Sequence, residues 1–502
     1  MSLKLQTART IKWNAIDRVA TQLLYAVVGV VLANILSPAE FGLVGVLLIF
    51  QAFATILVDS GFGAALLREK EPTQEDYSTV FWFNLLVSCL IYAVLFAASP
   101  LIARIFHGEE ALIGMSKVMF LTFVINGISI VQVNRLMKRM EVKMIAVANT
   151  IGLTVSGAVA IWLALRGAGA WALVWQNIIL ATVKTAILWA TGHWLPSMSF
   201  SRATMRKIRA VGMSVFSSSL LNTISLNIYN FVIGAFYTIT SLGIYTQADK
   251  WAKMGSASVS QILTSSFVPL LSKVQDSRTD FLRYVDKTGR FTNFILLPLM
   301  TLCAVCAAPL FHLLFGDKWD AAIPLFQILS VRGVFVVLIS LYGNYLLALG
   351  KARMLFVSEA VKDGLIFVAI LATVFLRDIT WLIVGQLAAS VATWLILLVL
   401  TARSISTTTR RLASHIFPFL VASLAMAAVG LLIVYLAPHI LPLSLTASDA
   451  TSRIVGNALL LILQSAGGIG VYLLMASIMR LPELPESTGY LLGRFRRRRG
   501  DA

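Results

Sequence analysis

Charge is scarce in this 502-residue chain, with 13% of residues Asp, Glu, Lys or Arg, about half the share of an ordinary soluble domain. No polar stretch between residues 11 and 479 exceeds about twenty residues, which excludes a separate soluble domain. Cysteine is nearly absent. Cys89, Cys303 and Cys306 all lie inside apolar runs, so a disulfide scaffold is excluded, and the Cys303-x-x-Cys306 spacing reads as helix packing and not redox chemistry. The Walker pattern G-x-x-x-x-G-K-[ST] is missing, which argues against ATP drive within the chain. The histidines, at 107, 193, 312, 415 and 439, have no metal-ligand spacing, so neither metal nor cofactor is expected.

What remains is apolar. Hydrophobic residues make up 58% of the chain, in runs that recur from end to end. A spanning helix needs about 20 mostly apolar residues at 1.5 Å rise. Fourteen segments meet that need, at 11–36, 41–67, 78–103, 111–134, 143–165, 169–191, 208–236, 242–271, 288–314, 321–349, 354–376, 379–402, 413–437 and 453–479. Lys4, Arg9 and Lys12 precede the first run as in a signal peptide, but that run is long enough to span and another follows at once, so it reads as an uncleaved first helix.

The net charge of +18 lies in the connections and not on one amphipathic surface, which reads as membrane topology and not nucleic-acid binding. Alternate connections hold 29 Lys and Arg, against five (Arg104, Arg166, Lys318, Arg377 and Arg453) on the other side. Fourteen helices with both termini cytoplasmic fit that asymmetry.

The chain also repeats itself. Pro100-Leu101 with Phe106 and Gly108 recurs as Pro309-Leu310 with Phe315 and Gly316, and Phe41-Gly42-Leu43 aligns with Leu242-Gly243-Ile244. The expectation is an all-α polytopic membrane protein built from a duplicated six-helix unit. Residues 1–200 form the first lobe, 201–405 the second, 406–480 two added helices and 481–502 a polybasic tail. Two parallel six-helix units are a known transporter plan.

These residues also carry a resemblance. Phe41-Gly42, the stretch from Asp59 to Arg68 (DSGFGAALLR), and Phe315-Gly316-Asp317-Lys318-Trp319 with Pro324 resemble the polysaccharide-transporter branch of the multidrug/oligosaccharidyl-lipid/polysaccharide (MOP) exporter superfamily. The likeness runs through all fourteen helices. It implies the MOP flippase fold and, as activity, the flipping of undecaprenyl-diphosphate-linked oligosaccharide units across the bacterial inner membrane for exopolysaccharide, capsule or O-antigen synthesis. Implied partners are that lipid-linked oligosaccharide, membrane lipids, and polysaccharide polymerase and co-polymerase proteins. Two alternatives remain open: an ion-coupled drug or metabolite exporter of the same superfamily, and a membrane polymerase or ligase. The second lacks an outside loop able to shape an active site, since the longest such connection, about 438–452, has some fifteen residues.

An anionic diphosphate crossing an apolar barrier calls for cations inside the spans, where charge is otherwise costly. Arg332 lies about 16 Å into the tenth span and Lys253 is similarly deep in the eighth. Lys250 shares the face of Lys253 at three-residue spacing. With Arg18 and Lys117 behind them, these form the expected cationic set. Acidic neighbours Asp17 and Asp249 are candidates for ion coupling. Ser218, Asn222 and Ser225 in the seventh span, and Asn14 and Gln22 in the first, are expected to line a wet cavity. Asp59, about 27 Å from the outer end of the second span, reads as a cap or gate, and Lys184 as a snorkelling residue.

Overall fold

The computed structural model describes residues 3–59, 61–275, 277–440 and 450–485. Residues 486–502, which hold most of the polybasic tail, lie outside them, as does the side chain of Asn14. Among the described residues the regular structure is all helical, as a bilayer demands of a backbone that must satisfy its own hydrogen bonds.

The first half runs α1 (Leu3–Ile35), α2 (Pro38–Asp59), α3 (Phe62–Arg68), α4 (Gln74–Ala97), α5 (Ser99–Ile105), α6 (Ala111–Met119), α7 (Leu121–Lys138), α8 (Val142–Leu165) and α9 (Ala170–Gly192). The second runs α10 (Arg202–Phe236), α11 (Ile239–Lys273), α12 (Arg278–Val305), α13 (Ala307–Phe315), α14 (Ala322–Ala348), α15 (Ala352–Thr373) and α16 (Ile379–Ser404). After α17 (Thr409–Ser414) come the two added helices, α18 (Phe417–Ile440) and α19 (Ala450–Ile478).

Helices occupy all fourteen expected positions, and twelve segments are long and apolar enough to cross a membrane. The two that fall short are α11 and α15. Both are continuous helices of 35 and 22 residues, but α11 carries Gln247, Asp249, Lys250 and Lys253 and α15 carries Glu359, Lys362 and Asp363. That charge removes both helices from the apolar count; in α15 it is spent internally, Lys362 pairing with Glu359 and Asp363.

The repeat is legible in the helix breaks. α4 gives way to α5 with Pro100 in the first turn, and α12 gives way to α13 with Pro309 in the first turn. Each proline sits where its missing N–H costs nothing. α13 then ends at Gly316 with φ 76°, and α5 is followed after Phe106 by His107 and Gly108, both at positive φ (64° and 75°). Local capping sets other starts. Thr73 accepts from the Asp76 N–H at 3.2 Å while Asp76 accepts from the Thr73 N–H at 2.8 Å, closing a capping box on α4. Ser201 and Ser277 cap α10 and α12.

Packing divides the chain into two compact units, Met1–Thr246 and Gln247–Ala502. In the first, α8 packs against α1 and α9, α7 against α4 and α9, and α2 against α4 and α10. Its aromatic cluster of Phe81, Trp82, Trp189 and Trp194 is tied down by indole N–H donors, Trp82 to the Ser197 carbonyl at 2.9 Å and Trp189 to the Ile128 carbonyl at 3.2 Å. α2 and the start of α11 approach backbone to backbone. A Cβ on Gly243 would lie 1.8 Å from the Pro38 carbonyl oxygen, and one on Gly42 1.9 Å from that of Ile239. The aligned Gly42 and Gly243 are thus reciprocal halves of one contact.

In the second unit α14 packs against α12 and α16, and α18 against α12 and α19. Arg290 on α12 holds Glu483 beyond α19 through two donors, Nε at 2.5 Å and Nη2 at 3.1 Å. The Phe-Gly-Asp-Lys-Trp stretch is a packing motif here. Trp319 is 1% exposed, Phe315 packs edge-on to Phe311 and tilted against Trp251, and Asp317 pairs with Arg453 at 2.9 Å.

Candidate functional site

The second unit carries three of the expected cations. On α11, the Asp249 carboxylate is buried and accepts Lys253 Nζ at 2.5 Å through Oδ2, while Oδ1 has no partner. These two residues are not paired in the sequence analysis. The signal was present as i, i+4 spacing. The Lys253 side chain remains half-exposed, so the cation is held by its acid and still open to a ligand. Lys250 lies over the Trp251 ring at 5.7 Å.

Arg332 is partly buried on α14, and its Nε donates to Ser390 Oγ on α16 at 3.2 Å. The next residue, Gly333, lets α11 approach, since a Cβ there would meet Ser256 Cβ at 3.3 Å and Met300 Sδ at 3.1 Å. Ser256 is one turn from Lys253. α11 and α14 therefore touch within a turn of both cations, although Lys253 is directed to Asp249 and Arg332 to Ser390.

The first unit holds the others apart. Asp17 accepts from Asn149 Nδ2 of α8, 3.3 Å from each carboxylate oxygen, and Arg18 beside it is exposed. Gln22 is partly buried on the same helix. Lys117 on α6 lies over the Phe96 ring at 4.9 Å. On α10, Ser218 and Ser225 donate to the Val215 and Leu221 carbonyls at 2.9 and 3.0 Å, which leaves their oxygens as acceptors. Ser218 and Asn222 are exposed.

Two residues that sequence reasoning set aside come together. Asp59 and Lys184 line one cavity of about 370 Å³, with Thr55, Asn126, Ser129 and Asn134 on its wall. Hydropathy placed both near a span end, and no one-dimensional signal brings α2 and α9 to a shared space. His312, Asp317 and Asp320 bring their ligand atoms within 4.8 Å of one another. His312 already meets Asp320 at 2.8 Å and Asp317 meets Arg453, so existing partners account for that cluster.

Known proteins share this plan. A lipid II flippase MurJ in an inward closed conformation superposes with a TM-score of 0.72 over 93% of this chain and 98% of its own, at 13% identity. An inward-facing multidrug resistance MATE family transporter of the MOP superfamily gives 0.57 over 77% and 94%, at 14% identity. The teichuronic acid biosynthesis protein TuaB of Bacillus subtilis (strain 168) is 26% identical over 393 residues, 77% of this chain and 81% of that one. The succinoglycan biosynthesis transport protein ExoT of Rhizobium meliloti (strain 1021) is 25% identical over 348 residues, 69% and 70% of the two chains.

The fold is the one seen in the MurJ flippase and the MATE transporter, and among the described residues twelve helical segments are long and apolar enough to cross a membrane. Residues 31–324 match the polysaccharide biosynthesis protein family, and the chain belongs to it.

Proposed function

We propose that this protein flips undecaprenyl-diphosphate-linked oligosaccharide units across the bacterial inner membrane by alternating access, supplying exopolysaccharide, capsule or O-antigen synthesis, with both termini cytoplasmic. The observation that carries the reading is the chemistry of α11 and α14. Lys250, Lys253 and Arg332 sit in helices of a polysaccharide-family transporter fold, and cations at such depth suit a cargo whose head is an anionic diphosphate. The hydroxyl and amide groups of Ser218, Asn222 and Ser225 suit sugar hydroxyls. In this reading the lobes are residues 1–200 and 201–405, and polymerase and co-polymerase proteins take the delivered units onward. The relatives' roles in teichuronic acid and succinoglycan biosynthesis support the cargo class.

The test is reconstitution into vesicles loaded with a labelled polyprenyl-diphosphate oligosaccharide, scored by how much label an external glycosidase reaches. Protein-dependent conversion of the protected pool to an accessible one is expected. Absence of conversion, with protein-dependent movement of a small dye instead, overturns the reading in favour of a small-molecule exporter.

A further inference from the structure

The cavity bounded by α2, α7 and α9 holds an anion and a cation without an ion pair between them. Among the described residues, neither the Asp59 carboxylate nor the Lys184 ammonium makes a hydrogen bond or salt bridge inside the 370 Å³ space they share. The other polar groups on its wall are neutral, and a cavity of that size and polarity admits several waters.

The chain is shaped to keep this space open. α2 stops at Asp59, Gly61 turns the backbone at φ 69°, and α3 starts at Phe62. Gly63 follows, and a Cβ there would lie 2.7 Å from Asp59 Oδ1 and 2.5 Å from Asn134 Nδ2. A side chain at residue 63 would displace either the carboxylate or the amide beside it. Both glycines belong to the DSGFG stretch that carries the family resemblance, Gly63 making room for Asp59 and Gly61 for the α10 backbone at Gly212.

Lys184 has a second carboxylate within its field. Asp17 on α1 is held by Asn149 of α8, the helix that packs against α9. Gly152, one turn beyond Asn149, lets the Lys184 backbone come within 3.6 Å of where a Cβ would sit. One cation on a long flexible stem thus stands between carboxylates of two helices. Other charges on the surrounding elements are engaged or turned away. Lys138 donates to the Leu66, Leu67 and Glu69 carbonyls, Arg135 lies over Tyr77 and Trp194, and Lys207 pairs with Glu69 at 2.8 Å. Asp76 serves Thr73 and Thr204, Lys143 lies over Trp13, Lys117 over Phe96, and Arg18, Glu75, Arg202 and Arg206 are exposed.

We propose that Lys184 is the shared counter-ion of Asp17 and Asp59, and that Asp59 is a proton-binding residue. A proton taken up by Asp59 from cavity water leaves Lys184 to Asp17, and its release draws Lys184 back toward α2. The device concerns the protein's own charges and holds whichever cargo is carried.

The experiment is infrared difference spectroscopy of the purified protein in lipid nanodiscs across a pH titration. The carbonyl stretch of a protonated carboxyl is assigned to Asp59 by its loss in Asp59→Asn. Lys184→Met removes the cation and is expected to tighten proton binding at residue 59 about tenfold or more. Asp17→Asn removes the competitor for Lys184 and is expected to loosen it about threefold. The opposite signs mark a shared counter-ion. A titration band that survives Asp59→Asn overturns the proposal, as does a proton affinity that neither variant changes. Asp17→Asn nearly conserves shape, so if Lys184→Met does not fold, an unchanged affinity in Asp17→Asn overturns it alone.

Discussion

Arg332→Ala and Lys253→Ala are each expected to reduce export of lipid-linked oligosaccharide at least thirtyfold while leaving a folded, inserted protein. Truncating one side of a desolvated charge contact costs about 2–5 kcal/mol, and 2 kcal/mol is already about thirtyfold. For Arg332 the structural loss is small, since its polar partner is the single hydroxyl of Ser390. For Lys253 the two roles must be separated, because its removal strands the buried Asp249 carboxylate. The double variant Asp249→Asn with Lys253→Ala removes the pair together. If Lys253 serves only to neutralise Asp249, the double variant restores export. If Lys253 meets the diphosphate, export stays lost although stability returns. Export assays paired with thermal unfolding of the same preparations check both, and full export by the two single variants would remove the diphosphate contact from the account.

Gly243→Ala is expected to destabilise the protein by about 3 kcal/mol or more, at the upper end for overpacking. The added methyl carbon would sit 1.8 Å from the Pro38 carbonyl oxygen and 2.8 Å from the Gly42 nitrogen. Both obstacles are backbone, and no rotamer change relieves them. α2 and the first turns of α11 would have to separate, which forfeits close packing along both helices. Gly42→Ala should behave alike, because its methyl would meet the Ile239 carbonyl. Gly364→Ala and Gly470→Ala serve as controls. A Cβ at either position meets nothing within 4 Å, and helix propensity favours the alanine by about 1 kcal/mol. Thermal unfolding in nanodiscs should show a large fall for the first two and none for the controls. Equal behaviour of all four would contradict the close approach.

Helix positions were legible in the sequence because burial in lipid writes itself as long apolar runs, and the repeat because it preserved Pro100 with Pro309 and Gly108 with Gly316. The breaks inside four of those runs were not, since a hydropathy window passes over Gly61, Ala98, Phe120 and Cys306 without a change of sign. α11 and α15 show the limit from the other side, as helices too polar to count as spans. For the candidate site, composition identified which charges are costly and so which residues to watch. It did not show whom they meet. The pairing of Asp249 with Lys253 was implicit in helical spacing, whereas the cavity that Asp59 and Lys184 both line depends on α2 and α9 packing around α7, which no local pattern encodes.

The central claim is the cargo, and mass spectrometry of the lipid extract from the source bacterium lacking this protein tests it most directly. Accumulation of an undecaprenyl-diphosphate oligosaccharide is predicted, reversed by restoring the wild-type chain but not by Arg332→Ala. An unchanged lipid pool with unaltered surface polysaccharide, in a strain without a second flippase, would contradict it.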